Sequence, residues 1–202
     1  MMKKLVVATR NSKKLIEIKR LLRGTGIRAL SLDEFDNLPK VKEDGATFRA
    51  NAKKKALEIS RRIDLPVLAD DSGLEVPALK NAPGINSARY AGPSQNDKRN
   101  IAKLLKSMHT LTGRKRRARF RCVIAISRGA RVVGIAEGKV EGRISTQTEG
   151  DLGFGYDPVF VPYGFKKTFA EFSSRAKDRI SHRGRALRES KKIIRRYFQR
   201  YP

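Results

Sequence analysis

Apolar residues follow two alternating patterns along this chain. Short apolar runs, which are typical of buried strands, lie at residues 5–8, 27–30, 67–69, 120–127, 132–138, 140–144 and 159–161. Apolar residues spaced three or four apart predict helices at residues 15–23, 46–63 and 94–111, and a last helix around residues 186–198. Strands that interleave with helices in this way are typical of an α/β protein.

Two adjacent carboxylates follow the third apolar run. Asp70 and Asp71 come directly after it and are followed by Ser72 and Gly73. Ligand sites of open α/β sheets gather where strands end at their carboxyl edge. Two neighbouring acids are costly to pack together unless a cation or a proton lies between them. A turn that simply ends the strand is an equally good interpretation of this stretch alone.

A polar loop joins the first strand to the first helix. It runs from Thr9 to Lys14, and Asn11 or Ser12 can cap the helix. A Lys in the first turn is unfavourable against the helix dipole, and it becomes favourable when an anion binds between them. The loop alone is more typical of an ordinary capped helix with a surface Lys.

Charged residues also surround the helix predicted at residues 46–63. Glu43 lies in an acidic loop before it and is either a metal ligand or a solvated carboxylate. Asn51 and Lys55 stand four residues apart on one flank of the apolar stripe. Of the three consecutive lysines in this helix, Lys55 is the one placed to reach towards a cleft.

Two further stretches combine rings, glycines and charge. Phe154 stands between Gly153 and Gly155 with little backbone cover, so its ring either faces a planar ligand or folds into the core. Lys177 and the stretch Ser181–Gly184 bring cationic and titratable side chains together before the last helix.

The composition adds a strong positive charge. The formal net charge of +26 indicates a polyanionic partner, which could be a nucleic acid, a nucleotide or a membrane surface, or else a general bias of the source organism. The most basic run, residues 114–121, is either a nucleic-acid patch or, as we expect, a hairpin shoulder with outward basic residues. The single cysteine, Cys122, excludes an intramolecular disulfide and is expected in the core. The first apolar run ends at Ala8 and is too short for the hydrophobic segment of a signal peptide, and no apolar run is long enough to span a membrane. We therefore expect a soluble, cytoplasmic protein.

Five short motifs occur in order along residues 6–187. They are Thr9-x-Asn11-x-x-Lys14, Gly45-x-Thr-Phe-x-x-Asn51-Ala-x-x-Lys55-Ala56, Ala69-Asp-Asp-Ser-Gly-Leu74, Gly153-Phe-Gly-Tyr-Asp-Pro158 and Ser181-His-Arg-Gly184. In this order and spacing they resemble the inosine triphosphate pyrophosphatase family of non-canonical purine nucleoside triphosphatases. Each motif alone is weak, whereas five in register are specific.

The resemblance implies a mixed α/β fold, in which a twisted sheet with flanking helices forms two lobes around a central nucleotide-binding cleft. Residues 1–202 would be a single two-lobed domain, usually in a homodimer. The implied reaction is hydrolysis of ITP, dITP and XTP to the monophosphate and pyrophosphate, with Mg²⁺. No membrane partner is implied, and nucleic acid is not favoured as a partner.

The resemblance also implies the residues of the site. Asp71 would be the general base, and Glu43, Asp71 and Asp70 would form the metal group. Lys55 would contact phosphate, and Phe154 to Asp157, Lys177, His182 and Arg183 would form the base pocket. The full set of implied substrate-binding residues is Thr9, Arg10, Asn11, Ser12, Lys13, Lys14, Lys55, Ser72, Phe154, Gly155, Tyr156, Asp157, Lys177, His182 and Arg183.

Four positions depart from the family pattern. Arg10 and Leu152 each stand where the family commonly has Gly. Ala50 stands where it commonly has Glu, and Lys42 where it commonly has an acidic residue. None of them removes an implied catalytic group, and Arg10 either adds a phosphate contact or blocks the loop. Two other classes of protein therefore stay open: a nucleic-acid-binding or ribosome-binding protein, and a nucleotide-binding relative without catalysis.

Overall fold

Six strands form one sheet in this computed structural model, which describes residues 3–201. They are β1 (Lys3–Val7), β2 (Ile27–Ser31), β3 (Val67–Glu75), β4 (Arg117–Arg128), β5 (Arg131–Ile144) and β6 (Phe160–Pro162). Their order in the sheet is β2-β1-β3-β4-β5-β6. β1 pairs in parallel with β2 and β3, and β6 pairs antiparallel with β5. The predicted mixed α/β fold is confirmed.

The helices of the described residues are α1 (Ser12–Leu22), α2 (Phe48–Ser60), α3 (Asp97–Ser107), α4 (Ser174–Ile180) and α5 (His182–Arg200). The first three begin at capping side chains, because Asn11, Thr47 and Asn96 each accept a hydrogen bond from a backbone N–H of the first turn. Such a cap satisfies a donor that has no partner within the helix. No helix within residues 3–201 combines the length and the apolarity needed to cross a membrane.

The chain divides into two units, each with its own apolar core. The first unit comprises residues 3–71, Cys122–Gly138 and 183–201, and the second comprises Ser72–Arg121 and Lys139–His182. Cys122 is fully buried in the first core, as expected, and burial raises the pKa of its thiol to about 12. That the units form one domain around a nucleotide-binding cleft stays a prediction.

The structure corrects several predicted elements. β3 continues through both aspartates to Glu75, so the carboxylates lie within a strand and not in a turn at its end. β5 is one long strand where two were predicted, and α3 is shorter at both ends than residues 94–111. α4 was not predicted, because its seven residues, SRAKDRI, carry too few apolar positions to form a stripe.

Three of the six basic residues in the run at residues 114–121 contact other residues of the second unit, whereas Arg114, Lys115 and Arg117 are exposed. Arg116 is buried and donates to the backbone carbonyls of Met108, Leu111, Ile144 and Ser145. Arg119 and Arg121 both form ion pairs with the Glu75 carboxylate, at 2.5 and 3.4 Å. The expectation that the basic residues point outward is therefore wrong for Arg116.

Candidate active site

The two aspartates of β3 have different partners, although both are buried. Asp70 Oδ2 lies 3.0 Å from Lys14 Nζ and 3.5 Å from Arg183 Nε. Arg183 also forms an ion pair with Glu17 of α1. Asp70 is therefore held between two cations that come from the two ends of the first unit's sequence.

Asp71 accepts a hydrogen bond from an amide. Its Oδ2 accepts a hydrogen bond from Asn51 Nδ2 at 3.0 Å, and Asn51 Oδ1 accepts one from the Gly45 N–H at 2.8 Å. A Cβ atom added at Gly45 would lie 2.7 Å from Asn51 Oδ1, so this close approach requires glycine. Asn51 thus joins the acidic loop to β3.

Lys55 connects the same loop to Asp70. Its Nζ donates to Glu43 Oε1 at 2.5 Å and to the Asp70 carbonyl at 2.6 Å. A buried ammonium is stable only when carboxylates or carbonyls compensate its charge. We refer to the residues that share these contacts as the charge cluster: Lys14, Glu17, Glu43, Asn51, Lys55, Asp70, Asp71 and Arg183.

These partners give the two aspartates opposite pKa shifts. Burial raises the pKa of Asp70, but the charges of Lys14, Arg183 and Lys55 outweigh it, so the pKa lies below its ordinary value. Burial also raises the pKa of Asp71, and there the opposing charges of Lys55 and Lys14 are not sufficient, so the pKa stays above its ordinary value. Burial lowers the pKa of Lys55, but the surrounding carboxylates outweigh burial and keep it charged.

The loop after β1 positions Lys14 for this cluster. Asn11 Oδ1 accepts the Lys14 N–H at 3.0 Å, and Thr9 Oγ1 accepts the Asn11 N–H at 3.2 Å. Ser12 and Lys13, in the first turn of α1, are exposed. Arg10, which departs from the family pattern, is exposed and donates to the Leu38 carbonyl at 3.1 Å.

A second group of side chains lies in the second unit. Lys177 Nζ is 2.6 Å from Asp157 Oδ2 and 4.9 Å from the centre of the Phe154 ring. Asp157 Oδ2 also accepts the Phe154 N–H, and the carboxylate of Asp97 accepts the Gly155 N–H, both at 2.8 Å. We call these residues the aromatic–lysine group. Phe154 is half-buried, in contrast to the fully buried core rings of this unit.

Three more residues that the family resemblance assigns to the purine-binding pocket contact other residues of the protein in the structure. The buried Tyr156 hydroxyl donates to the Ser87 carbonyl at 2.9 Å. The ring of His182 stacks on Phe120 with ring centres 4.5 Å apart. Arg183, as described above, contacts Asp70 and Glu17, and Ser72 is half-buried in β3.

Two residues of these groups were missed from the sequence. Glu17 stands three positions after Lys14 on α1, which places both residues on one side of the helix. This spacing could have identified Glu17 as a member of the charge cluster. Asp97 had no such signal, because its partner Gly155 is 58 positions away.

Buried carboxylates that share a cluster with lysines, beside the capped start of a helix, are the combination expected of proteins that handle phosphates. Comparison with known proteins identifies the class. The model of the Ham1 family matches residues 5–193. The chain belongs to the Ham1 family, and the resemblance found in the sequence is thereby confirmed.

The similarity to known proteins extends over nearly the whole chain. A dITP/XTP pyrophosphatase of Desulforamulus reducens is 47% identical over 96% of this chain and 97% of its own length. One of Syntrophobacter fumaroxidans is 49% identical over 92% of this chain and 79% of its own. The solved Ham1 protein of Coxiella burnetii has a TM-score of 0.87 at 39% identity, covering 96% of this chain and all of that one. The Staphylococcus aureus Ham1 protein has a TM-score of 0.85 at 37% identity, covering 96% and 98%.

Proposed function

We propose that this protein hydrolyses the non-canonical purine nucleoside triphosphates dITP, ITP and XTP to the monophosphate and pyrophosphate. The observation that carries the proposal is the charge cluster, in which Lys14 and Lys55 lie among the acidic residues Glu43, Asp70 and Asp71. The names of the curated relatives agree with this activity. Removing such nucleotides from the cellular pool would be the biological role.

The cations of the first unit would bind the triphosphate. A triphosphate carries several negative charges, so its cleavage depends mainly on positioning and neutralisation. Lys14 and Lys55 supply positive charge, and the loop from Thr9 to Lys13 presents backbone N–H groups at the start of α1. When phosphate oxygens approach, they would take over the role that Asp70 and Glu43 now have for these lysines.

The acids fit a magnesium ion that arrives with the substrate. Among residues 3–201, no group of three or more His, Cys, Asp or Glu side chains is arranged to hold a metal ion. Magnesium is commonly held by only one or two carboxylates together with substrate phosphates. Glu43 and Asp71 would be those carboxylates, and the ion would neutralise charge that develops on the phosphates. Asp70 contacts Lys14 and Arg183, so we propose that it positions these cations.

Asp71 would act as the general base. Burial raises the pKa of Asp71 above its ordinary value, which favours accepting a proton from a water molecule. The Asn51 amide fixes one carboxylate oxygen, and the carboxylate held in this way would orient that water. Attack at the α-phosphorus would then release pyrophosphate.

The aromatic–lysine group would bind the purine. The half-buried Phe154 ring offers a face for stacking, and Asp157, Asp97 and Lys177 hold the turn that carries it. Lys177 is the cation beside this ring, so we propose that its ammonium donates to the O6 of a 6-oxo purine. Adenine has an amino donor at that position, and two donors facing each other in a dry site are unfavourable.

His182 and Arg183, which the family resemblance assigns to the base pocket, also contact other side chains of the protein. His182 stacks on Phe120, and the Arg183 guanidinium is bound to two carboxylates. The contribution of these two residues to base recognition stays a prediction. We infer from the family resemblance that the enzyme is a cytoplasmic homodimer. Sedimentation of the purified protein would test whether it forms a dimer.

A nucleotide panel tests the proposed function. Initial rates with ITP, dITP, XTP, GTP and ATP would be measured with Mg²⁺, using added inorganic pyrophosphatase to detect the product. We expect ITP, dITP and XTP to be hydrolysed much faster than ATP and GTP, and EDTA to stop the reaction until excess Mg²⁺ is added. Binding of ITP without turnover would instead indicate a nucleotide-binding relative that has lost catalysis.

A further inference from the structure

The outer face of α5 carries a stripe of positive charge. Between Arg185 and Arg200 the sequence contains seven basic residues and one acidic residue, Glu189. The exposed basic residues of this segment are Arg185, Arg188, Lys192, Arg195, Arg196 and Arg200. Glu189 pairs locally with Lys192 at 2.9 Å.

The spacing places these side chains on one side of the helix. Steps of three and four residues return to the same face, at 3.6 residues per turn. With a rise of about 1.5 Å per residue, the stripe extends over roughly 22 Å. The opposite face of α5 is packed into the core of the first unit through Ala186, Leu187, Ile194 and Phe198. An outward stripe of this length is too long for one nucleotide and fits an extended polyanion.

An aromatic residue follows the stripe. Tyr201 is 50% exposed, and the Arg200 guanidinium lies 5.8 Å from the centre of its ring. The Tyr197 ring lies beside it, with ring centres 5.2 Å apart. An exposed ring next to a cationic groove or stripe is the combination on which unpaired bases stack.

The other basic run, at residues 114–121, is a weaker candidate, because three of its six basic residues are engaged within the protein. Arg116 is bound to four backbone carbonyls, and Arg119 and Arg121 are paired with Glu75. A membrane surface also fits α5 poorly, because a helix that lies in a bilayer interface inserts its apolar face and that face of α5 is buried in the protein.

We propose that the outer face of α5 binds single-stranded nucleic acid, with the basic stripe on the phosphates and Tyr201 stacked on a base. This binding is independent of the hydrolytic site, because none of the stripe residues belongs to the charge cluster or to the aromatic–lysine group. It gives one exposed part of the chain's large positive charge a ligand.

The test compares two variants of equal net charge. In the first, Lys192→Gln, Arg195→Gln and Arg196→Gln neutralise the middle of the stripe. In the control, Lys98→Gln, Arg99→Gln and Lys106→Gln neutralise three exposed residues of α3. Glutamine keeps a high helix propensity at each position. Binding of a labelled 20-nucleotide oligouridine to the full chain would be measured by fluorescence anisotropy at several KCl concentrations.

We expect the α5 variant to bind the oligonucleotide about tenfold or more weakly than wild type. The slope of log affinity against log salt concentration should become about two less steep, since each phosphate contact on a single strand contributes about 0.7 to that slope. The α3 control should stay within about twofold of wild type, and both variants should keep wild-type ITP turnover. Tyr201→Ala should weaken binding and leave the salt slope unchanged, because stacking releases no counterions.

Equal weakening in the α3 control would overturn the proposal, since binding would then follow net charge alone. Binding to vesicles rich in phosphatidylserine, without binding to the oligonucleotide, would also overturn it. No measurable binding by the wild-type chain at 50 mM KCl would do the same.

Discussion

Asp70 and Asp71 are neighbours in the sequence, yet the structure gives them separate tasks. The charges of Lys14, Arg183 and Lys55 lower the pKa of Asp70, whereas burial keeps the pKa of Asp71 raised. A strand directs successive side chains to opposite faces, which explains how adjacent residues reach different partners. The sequence could indicate the pair but not this division, because Arg183 lies 113 positions from Asp70.

Single substitutions should separate the two aspartates. Asp71→Asn removes the proposed base and one metal ligand, so turnover of ITP should fall by a factor of about 100 to 10,000 or more, with little loss of stability. Asp70→Asn leaves Lys14 and Arg183 with one carboxylate fewer, and breaking such a buried pair costs about 3–5 kcal/mol of unfolding free energy. Urea unfolding and steady-state kinetics of both variants would measure this.

The reverse outcome would contradict the division of roles. If Asp71→Asn kept near wild-type turnover and Asp70→Asn lost turnover without losing stability, Asp70 would be the general base.

Phe154 provides a residue-scale test of the purine site. Removing its ring in Phe154→Ala should cost a stacking contact of about 1–3 kcal/mol, which corresponds to a loss of about tenfold to a hundredfold in kcat/KM. ITP and XTP should be affected alike, because both purines have a π-face. The melting temperature should change little, since the ring is only half-buried.

The matched control is Phe169→Leu, a substitution of a fully buried ring in the core of the same unit. It should lower the melting temperature more than Phe154→Ala does. A large fall in melting temperature for Phe154→Ala with an unchanged kcat/KM would make Phe154 a core residue and not a base contact.

At the scale of elements, strongly patterned segments were predictable and contact-dependent ones were not. α2 and α5 have clear apolar stripes, and the strands β1, β2 and β4 each contain a mainly apolar segment, so all five were found from the sequence. The extension of β3 through two aspartates depends on Lys14, Lys55 and Asn51, which compensate the buried carboxylates. Local patterns carry no information about these distant partners.

The turn around Phe154 gives an element-scale prediction. Gly153 has a φ of +79°, and a Cβ atom there would lie 2.1 Å from Asp157 Oδ2. Gly153→Ala should therefore displace the Asp157 carboxylate that holds the Phe154 N–H and Lys177, and kcat/KM for ITP should fall by about tenfold or more.

Gly155→Ala is the control for this turn. Its φ of +60° imposes a comparable backbone cost, of about 1–2 kcal/mol, but an added Cβ meets no atom within 4 Å. Gly155→Ala should lose clearly less activity than Gly153→Ala. Equal losses would attribute the effect to backbone strain and leave Asp157 without the positioning role.

At the scale of the whole molecule, each unit presents one of the two chemical requirements of the proposed reaction. The first unit holds the charge cluster, with the lysines and acids that suit a metal-bound triphosphate. The second holds the aromatic–lysine group, which suits a purine with an oxygen at position 6. The family resemblance named most residues of both groups, although it assigned Arg183 to the base pocket and did not include Glu17 or Asp97, whereas composition alone indicated only a polyanionic partner.

The most direct test of the central claim is the fate of solvent oxygen during hydrolysis. ITP would be hydrolysed with Mg²⁺ in water enriched in oxygen-18, and the products would be analysed by mass spectrometry. Attack at the α-phosphorus predicts heavy oxygen in inosine monophosphate and unlabelled pyrophosphate. Label in pyrophosphate, or release of inosine diphosphate with orthophosphate, would contradict the proposed reaction.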